Sequence, residues 1–192
     1  MDKIKWPLKN SDEIIKLFKT QLENEDAEPD LTLLSIVVGL YENTLCSQNL
    51  DATLSFPDIQ HDQVEILYKK FQTIIAIAEP LPAQVNKSKT RSAPSISPKE
   101  TKYATREIIK RVSDIIWNSL LRSTYKDRAH LQSLYSYLSL NKLDCFGVAF
   151  SVVAGLQILG YRDCHLAISE DHVWVVFGED GNNFFNVFTC KY

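Results

Sequence analysis

The stretch that most constrains the fold is residues 143–177, LDCFGVAFSVVAGLQILGYRDCHLAISEDHVWVVF. Its first half is a run of small and apolar residues between Asp144, placed as an N-cap, and Gly160, placed as a helix-ending glycine. A helix so rich in small residues lets neighbouring backbone come close, so we predict that it is packed on every side. The second half alternates apolar and polar residues twice, which predicts two strands joined by a tight turn.

Further elements can be placed before and after this stretch. The turn residues GEDGNN and the segment FFNVFTC predict a third strand. A short extended piece, ATLSFP, precedes one of five earlier helices. Apolar residues at helical spacing predict those five helices from Ser11 (as N-cap) to about Glu25, from Pro29 through Leu40, from Asp58 through Ile77, from Thr105 through Leu121, and over residues 129–140.

The composition of the chain changes abruptly near its middle. Residues 80–102 hold most of the prolines, with serines and basic residues and few large apolar side chains, which predicts a linker or long loop. We therefore expect a helical N-terminal domain over 1–79 and, over 103–192, a second domain that combines helices with a short antiparallel sheet. The predicted fold class is α+β.

Composition and charge exclude several classes of protein. With 192 residues, 45% hydrophobic and 23% charged, the sequence is typical of a soluble globular protein. The net charge of −3 gives no overall basic field, so DNA binding would need a local patch such as Lys87, Lys89 and Arg91, for which a solvated basic loop is the alternative. Because no apolar run is long enough to span a bilayer, we expect no membrane partner.

Four cysteines, Cys46, Cys145, Cys164 and Cys190, are scattered without a C-x-x-C pair. No histidine lies at metal-ligand spacing from them. The pattern therefore predicts neither a disulfide framework nor a metal site, and we expect no cofactor. A reducing compartment, cytosol or nucleus, is the natural setting.

Cys145 and His172 stand in the order of a thiol acyl-transfer site. A cysteine at a helix N-terminus has its thiolate stabilised by the helix dipole, a histidine on an adjoining strand can take the proton, and Asn186 could orient the imidazole. This order is that of papain-like and transglutaminase-like enzymes. The hypothesis is a cysteine acyl transferase or hydrolase using Cys145, His172 and Asn186. A buried structural cysteine and a hydrogen-bonded structural histidine are the alternative.

Longer stretches carry a resemblance to a known family. The sequence resembles the N-terminal portion of the menin family in KIKWPLKNSDEIIKLF, EPDLTLLSIVVGLYENTL, VSDIIWNSLLRS, YKDRAHLQSL, KLD followed by GVAF, and RDCHLAISEDHVWVVFG. These ordered matches cover most of the chain outside residues 80–102. After Gly178 the match decays, and the chain corresponds to about the first third of the family protein. We therefore expect a shortened form that lacks the later helical repeats.

The resemblance implies a nuclear scaffold without enzymatic activity. Proteins of this family recruit the mixed-lineage-leukaemia type of histone H3 lysine-4 methyltransferase and bind transcription factors such as JunD, in transcriptional control and tumour suppression. Their partner peptide lies in a cavity between a transglutaminase-like domain and helical repeats. The resemblance therefore implies that residues 103–192 are a transglutaminase-like domain, incomplete at its C-terminus.

The resemblance also implies site residues. Ser169, Asp171 and His172 correspond to the strand and turn that line the peptide cavity, while Cys145 and Phe146 stand where the family usually has two serines. Phe146 is thus a departure that changes one edge of the pocket. A shortened domain would also leave FFNVFTC as an exposed apolar edge, which predicts association of the chain through that strand.

Overall fold

The computed structural model describes residues 4–24, 27–47, 58–79, 102–121, 131–178 and 181–186. Helices and a small antiparallel sheet make up this part of the chain, which confirms the α+β class. The helices are α1 (Ser11–Leu22), α2 (Leu31–Ser47), α3 (His61–Ala76), α4 (Arg106–Ser119), α5 (Leu134–Leu140) and α6 (Cys145–Ile158), and the strands are β1 (His165–Ile168), β2 (Val173–Phe177) and β3 (Asn183–Phe185). The predicted extended piece at residues 52–57 lies outside the described residues, as does FFNVFTC beyond Asn186.

Several helices begin where the sequence supplies a capping side chain. Asp144 accepts a hydrogen bond from the N–H of Gly147 at 2.7 Å, as predicted for the start of α6. Thr105 caps α4 in the same way. The N-cap of α1 is Asn10, one residue before the predicted Ser11, because its side chain accepts from the third helical N–H at 2.9 Å. α6 ends as expected, since Gly160 follows it at a φ of +86°, a conformation that favours glycine.

α6 is the central helix of the fold. It packs against α2, α3, α4 and the sheet, as expected of a helix rich in small residues. Its buried residues are Gly147, Val148, Ala149, Ser151, Val152, Val153, Ala154, Gly155 and Leu156. α2 lies across α5 at close range, because a Cβ on Gly39 would stand 2.4 Å from the side chains of Ser133 and Tyr135. Small residues thus set the spacing of the helices.

The sheet has the strand order β1-β2-β3, with both pairs antiparallel. Val175 of β2 faces Leu166 of β1 and Phe185 of β3. Val173, Val175 and Phe177 are buried, as their alternation in the sequence predicts, and β2 packs against α6. Ile168 is 61% exposed although it alternates with polar residues like the buried positions of β2, because it lies at the end of the edge strand β1.

The connection between α5 and α6 turns the chain sharply. Asn141 ends α5 in the left-handed conformation, with a φ of 53°, and its N–H donates to the carbonyl of Tyr137 at 3.0 Å. The two helices are bent by 97° at this break. Within the described residues, no single helix is long and apolar enough to cross a bilayer, and this bent pair passes that test by length and composition alone.

One hydrophobic core joins residues from both sides of the 80–102 segment. Phe71 of α3 and Leu33 of α2 belong to the same buried cluster as Val112 of α4 and Leu156 of α6. The proposed boundaries at 79 and 103 stay a prediction, since residues 80–101 lie outside the described part of the chain. Within that part, the helices before and after the segment are packed together.

Candidate functional site

The turn between β1 and β2 carries three of the predicted site residues. Ser169 and His172 close it, because the N–H of Ser169 donates to the carbonyl of His172 at 2.8 Å. The Ser169 hydroxyl accepts from the N–H of His172 at 3.2 Å and lies 3.2 Å from the Asp171 carboxylate. Asp171 is exposed at the tip. The hairpin therefore presents a carboxylate on a turn that is fixed by backbone and hydroxyl hydrogen bonds.

The His172 ring is held from two sides. Its Nε2 lies 2.6 Å from Oδ1 of Asn186, and its ring stacks on Trp174 with centroids 5.7 Å apart. The register of β2 and β3 explains the first contact, because both residues continue the same face of the sheet beyond the paired positions. This geometry agrees with the predicted pairing of His172 with Asn186.

Cys145 and Phe146 lie at the N-terminus of α6. Cys145 is exposed as the first residue of the helix. Within the described residues no hydrogen bond joins its thiol to His172, whereas His172 and Asn186, the other two members of the predicted thiol site, are in hydrogen-bond contact. Phe146 stacks on Phe150 with centroids 6.2 Å apart.

An apolar cavity of about 280 Å³ opens beside Phe146. Its apolar lining comes from three helices, which are α1, α2 and α6. These residues are Phe18, Leu31, Leu34, Val38, Phe146 and Phe150. The sequence analysis placed Phe146 at one edge of the peptide pocket. Phe18 and Phe150 pack on the core and also face this cavity.

A second cavity, of about 670 Å³, lies between α4 and the edge of β3 that faces away from β2. Phe185 and Asn186 line it from the strand side, and a single stripe along α4 lines it from the other. That stripe consists of Arg106, Lys110, Ser113, Asp114 and Trp117. Sequence reasoning missed this site. The available signal was the helical spacing of these polar residues, but nothing in the sequence indicates that a strand edge lies beside them.

Within the described residues, no group of three or more His, Cys, Asp or Glu side chains could hold a metal ion. Cys46 and Cys145 are exposed free thiols, and Cys164 is buried. Burial, with the nearby Asp163 carboxylate, raises the pKa of the Cys164 thiol to about 12. Cys190 and the basic residues at 87–91 lie outside the described residues. The expectation of no cofactor stays a prediction.

Comparison with known proteins identifies the family. The family model described as menin matches residues 1–189. The chain belongs to the menin family. Residues 143–177 form α6 and the β1–β2 hairpin with His172, and they lie within this match. The menin match thus includes every residue named above as a candidate for the peptide site.

A solved structure of menin, described as revealing the binding site for the Mixed Lineage Leukemia (MLL) protein, has a similar fold. The TM-score is 0.74 and the sequence identity is 39%. The match covers 93% of this chain and 35% of that menin chain. The present chain therefore spans about a third of the length of the menin it resembles.

Proposed function

We propose that the chain is a menin-type scaffold that works in the nucleus by binding short peptides, without enzymatic activity. The peptide partners are an N-terminal segment of a mixed-lineage-leukaemia-type histone H3 lysine-4 methyltransferase and transcription factors such as JunD, so the function is regulation of transcription. Membership of the menin family supports this proposal, together with the likeness to a menin whose MLL site has been solved. In this proposal the binding residues are Ser169, Asp171, His172, Cys145 and Phe146.

The hairpin tip is the observation that carries the proposal. Asp171 offers an exposed carboxylate, and a carboxylate binds the planar guanidinium of an arginine through two parallel hydrogen bonds. Beside it, His172 and Trp174 form a stacked aromatic surface. A basic residue next to an aromatic or apolar residue in an extended peptide would contact both features.

We propose that the fold is transglutaminase-like and that it is used without catalysis. Cys145 heads α6, and His172 is bonded to Asn186 at 2.6 Å. In our proposal this arrangement forms one wall of a peptide site. The Phe146 ring, which takes the place of a family serine, stacks on Phe150 beside the apolar cavity. We therefore expect this chain to prefer a more apolar peptide side chain at that edge.

The test is a binding titration with a fluorescein-labelled peptide that contains the sequence Arg-Phe-Pro. We expect Asp171→Lys or His172→Ala to weaken binding by at least about tenfold. Glu170→Lys is the matched control, because Glu170 is the exposed neighbour at the same turn and should change binding far less. Failure of the wild-type chain to bind, or equal loss in the control, would reject the proposal for this chain.

A further inference from the structure

We propose that the cavity between α4 and β3 binds a partner segment as an added β-strand, and that this segment carries an acidic side chain. The cavity is separate from the hairpin tip. It measures about 670 Å³, and its walls are the α4 stripe of Arg106, Lys110, Ser113, Asp114 and Trp117 and the strand residues Phe185 and Asn186. A groove between an edge strand and a helix is the shape that peptide-binding domains use for strand addition.

Strand β3 is an edge strand of the described sheet. It pairs with β2 on one side, and within the described residues no strand pairs with the other. The carbonyl of Phe184 points outward, because it accepts a hydrogen bond from Nη2 of Arg106 at 3.1 Å. Since the N–H and C=O of one residue point to the same side of a strand, the N–H of Phe184 also points outward. An added strand would exchange both hydrogen bonds with this residue.

Arg106 decides which strand is accepted. Its guanidinium donates a hydrogen bond to the Phe184 carbonyl and lies over the Phe185 ring, 5.9 Å from the ring centroid. Lys110 is already paired with Asp114, whereas Arg106 makes no salt bridge within the described residues. A strand that displaces Arg106 without replacing its partner loses a hydrogen bond to a charged group. A strand with a carboxylate gives the guanidinium a stronger partner, so the acidic strand is favoured.

For a partner strand that runs along α4, the stripe sets the length of the segment. From Arg106 to Trp117 the helix rises about 16 Å, at about 1.5 Å per residue. Five residues of a strand span about 14 Å, which is four steps of about 3.4 Å, and the lengths of the side chains cover the remaining distance. Side chains four residues apart lie on the same face of a strand. The fitting segment therefore has an acidic side chain over Arg106 and an apolar one near Trp117, four positions away.

A second copy of this chain fits the cavity less well. Strand β3 contains no acidic residue over Asn183–Phe185. Pairing two β3 strands about a twofold axis would also bring the two Arg106 side chains together, and like charges so placed repel. The charge of the cavity thus favours an acidic segment of another protein.

The experiment uses two labelled peptides, Thr-Glu-Thr-Val-Thr-Leu-Thr and the same peptide with Lys in place of Glu, each also in reversed order because the strand could run either way. We expect the wild-type chain to bind a Glu peptide at least about tenfold more tightly than its Lys counterpart. Arg106→Glu should reverse this preference. The variant should still form α4, because an acidic residue in the first turn of a helix interacts favourably with the helix dipole. Circular dichroism would check its fold.

Arg111→Glu, an exposed change on another face of α4, is the matched control and should leave the preference intact. Asp171→Lys should also leave it intact, which separates this cavity from the peptide site proposed above. In the nuclear magnetic resonance spectrum of the bound chain, we expect the Phe184 amide to shift. No binding of either Glu peptide up to about 1 mM, equal binding of Glu and Lys peptides, or the same effect from Arg111→Glu would overturn the proposal.

Discussion

The side chain of Gln157, near the end of α6, accepts a hydrogen bond at 3.1 Å from the backbone N–H of Leu31, the first residue of α2. Its amide nitrogen also donates to the carbonyl of Pro29 at 2.9 Å. One glutamine thus satisfies two backbone groups at the start of another helix.

We expect Gln157→Leu to lower the free energy of unfolding by about 1–2 kcal/mol, because both partly buried backbone groups lose their partner. Chemical denaturation followed by circular dichroism measures this change. Gln72→Leu on α3 is the control, since that side chain is exposed, and it should cost far less. Equal losses in the two variants would contradict the capping role of Gln157.

Gly39 should tolerate no larger residue, although alanine is the better helix former by about 1 kcal/mol. A Cβ at this position would stand 2.4 Å from Ser133 Oγ and Tyr135 Cβ, so α2 and α5 would have to separate. We expect Gly39→Ala to destabilise the fold by about 1–3 kcal/mol. Gly160→Ala tests the backbone conformation instead. Nothing lies within 4 Å of its Cβ position, so the expected loss of stability comes from the φ of +86° alone. Thermal unfolding of both variants compares steric and conformational costs, and a stabilised Gly39→Ala would show that the crossing can relax.

Cys164 should make stability depend on alkaline pH. Burial raises the pKa of its thiol to about 12 in the folded chain, whereas the pKa of a cysteine in an unfolded chain is about 8.5. The unfolded chain therefore loses this proton first, so the stabilisation is complete below about pH 8.5 and declines as pH rises toward 12. We expect Cys164→Ala to flatten the decline between about pH 8.5 and 10, measured by urea denaturation at several pH values. Cys46→Ala, at an exposed thiol, should leave the decline unchanged.

Arg106 should also limit association of the chain through β3. Phe184 is 63% exposed on this edge strand, and the guanidinium occupies its outward carbonyl. We expect Arg106→Ala to increase the apparent mass at high protein concentration in light scattering after gel filtration. Arg111→Ala removes the same charge elsewhere on α4 and should not. If both variants or neither associate more strongly than the wild type, the capping of this edge does not control association.

The thiol of Cys145 should react without help from His172. A catalytic pair would lose at least about tenfold in alkylation rate when the base is removed. We expect the rate with iodoacetamide to be unchanged, within about twofold, in His172→Ala and Asn186→Ala, because the chain is proposed to be a scaffold. Cys46, also exposed, provides an internal reference in the same mass-spectrometric measurement. A large, selective drop at Cys145 would revive the acyl-transfer hypothesis.

Local signals in the sequence located much of the fold. Asp144 and Gly160 mark the two ends of α6 because capping is decided within one turn of a helix. The contact of His172 with Asn186 was expected from the order of a thiol site, in which a polar side chain on the next strand orients the imidazole. Capping residues and turn residues depend on only a few neighbours in the sequence, so the ends of these elements could be predicted from the sequence.

The α4 cavity could not be predicted in this way. It depends on the edge of β3 lying beside Arg106, a contact between residues 78 positions apart in the chain. The helical periodicity of α4 describes one apolar face and says nothing about what stands opposite its polar face. The role of Gln157 is similar, because its partner Leu31 is 126 positions away. The α4 cavity and the contact of Gln157 with Leu31 are formed by residues far apart in the chain, and local sequence patterns do not predict such contacts.

The shared core described above has a consequence for dividing the chain. Leu33 and Phe71 share one buried core with helices that follow residue 102, and α2 and α3 contact α5 and α6, so a recombinant fragment ending near residue 79 would present apolar surface to water. Two such fragments, cut within residues 80–101 and expressed separately, should recover native circular dichroism only when mixed. The two fragments would then fold only by associating with each other, so a split-protein reporter could be based on this chain.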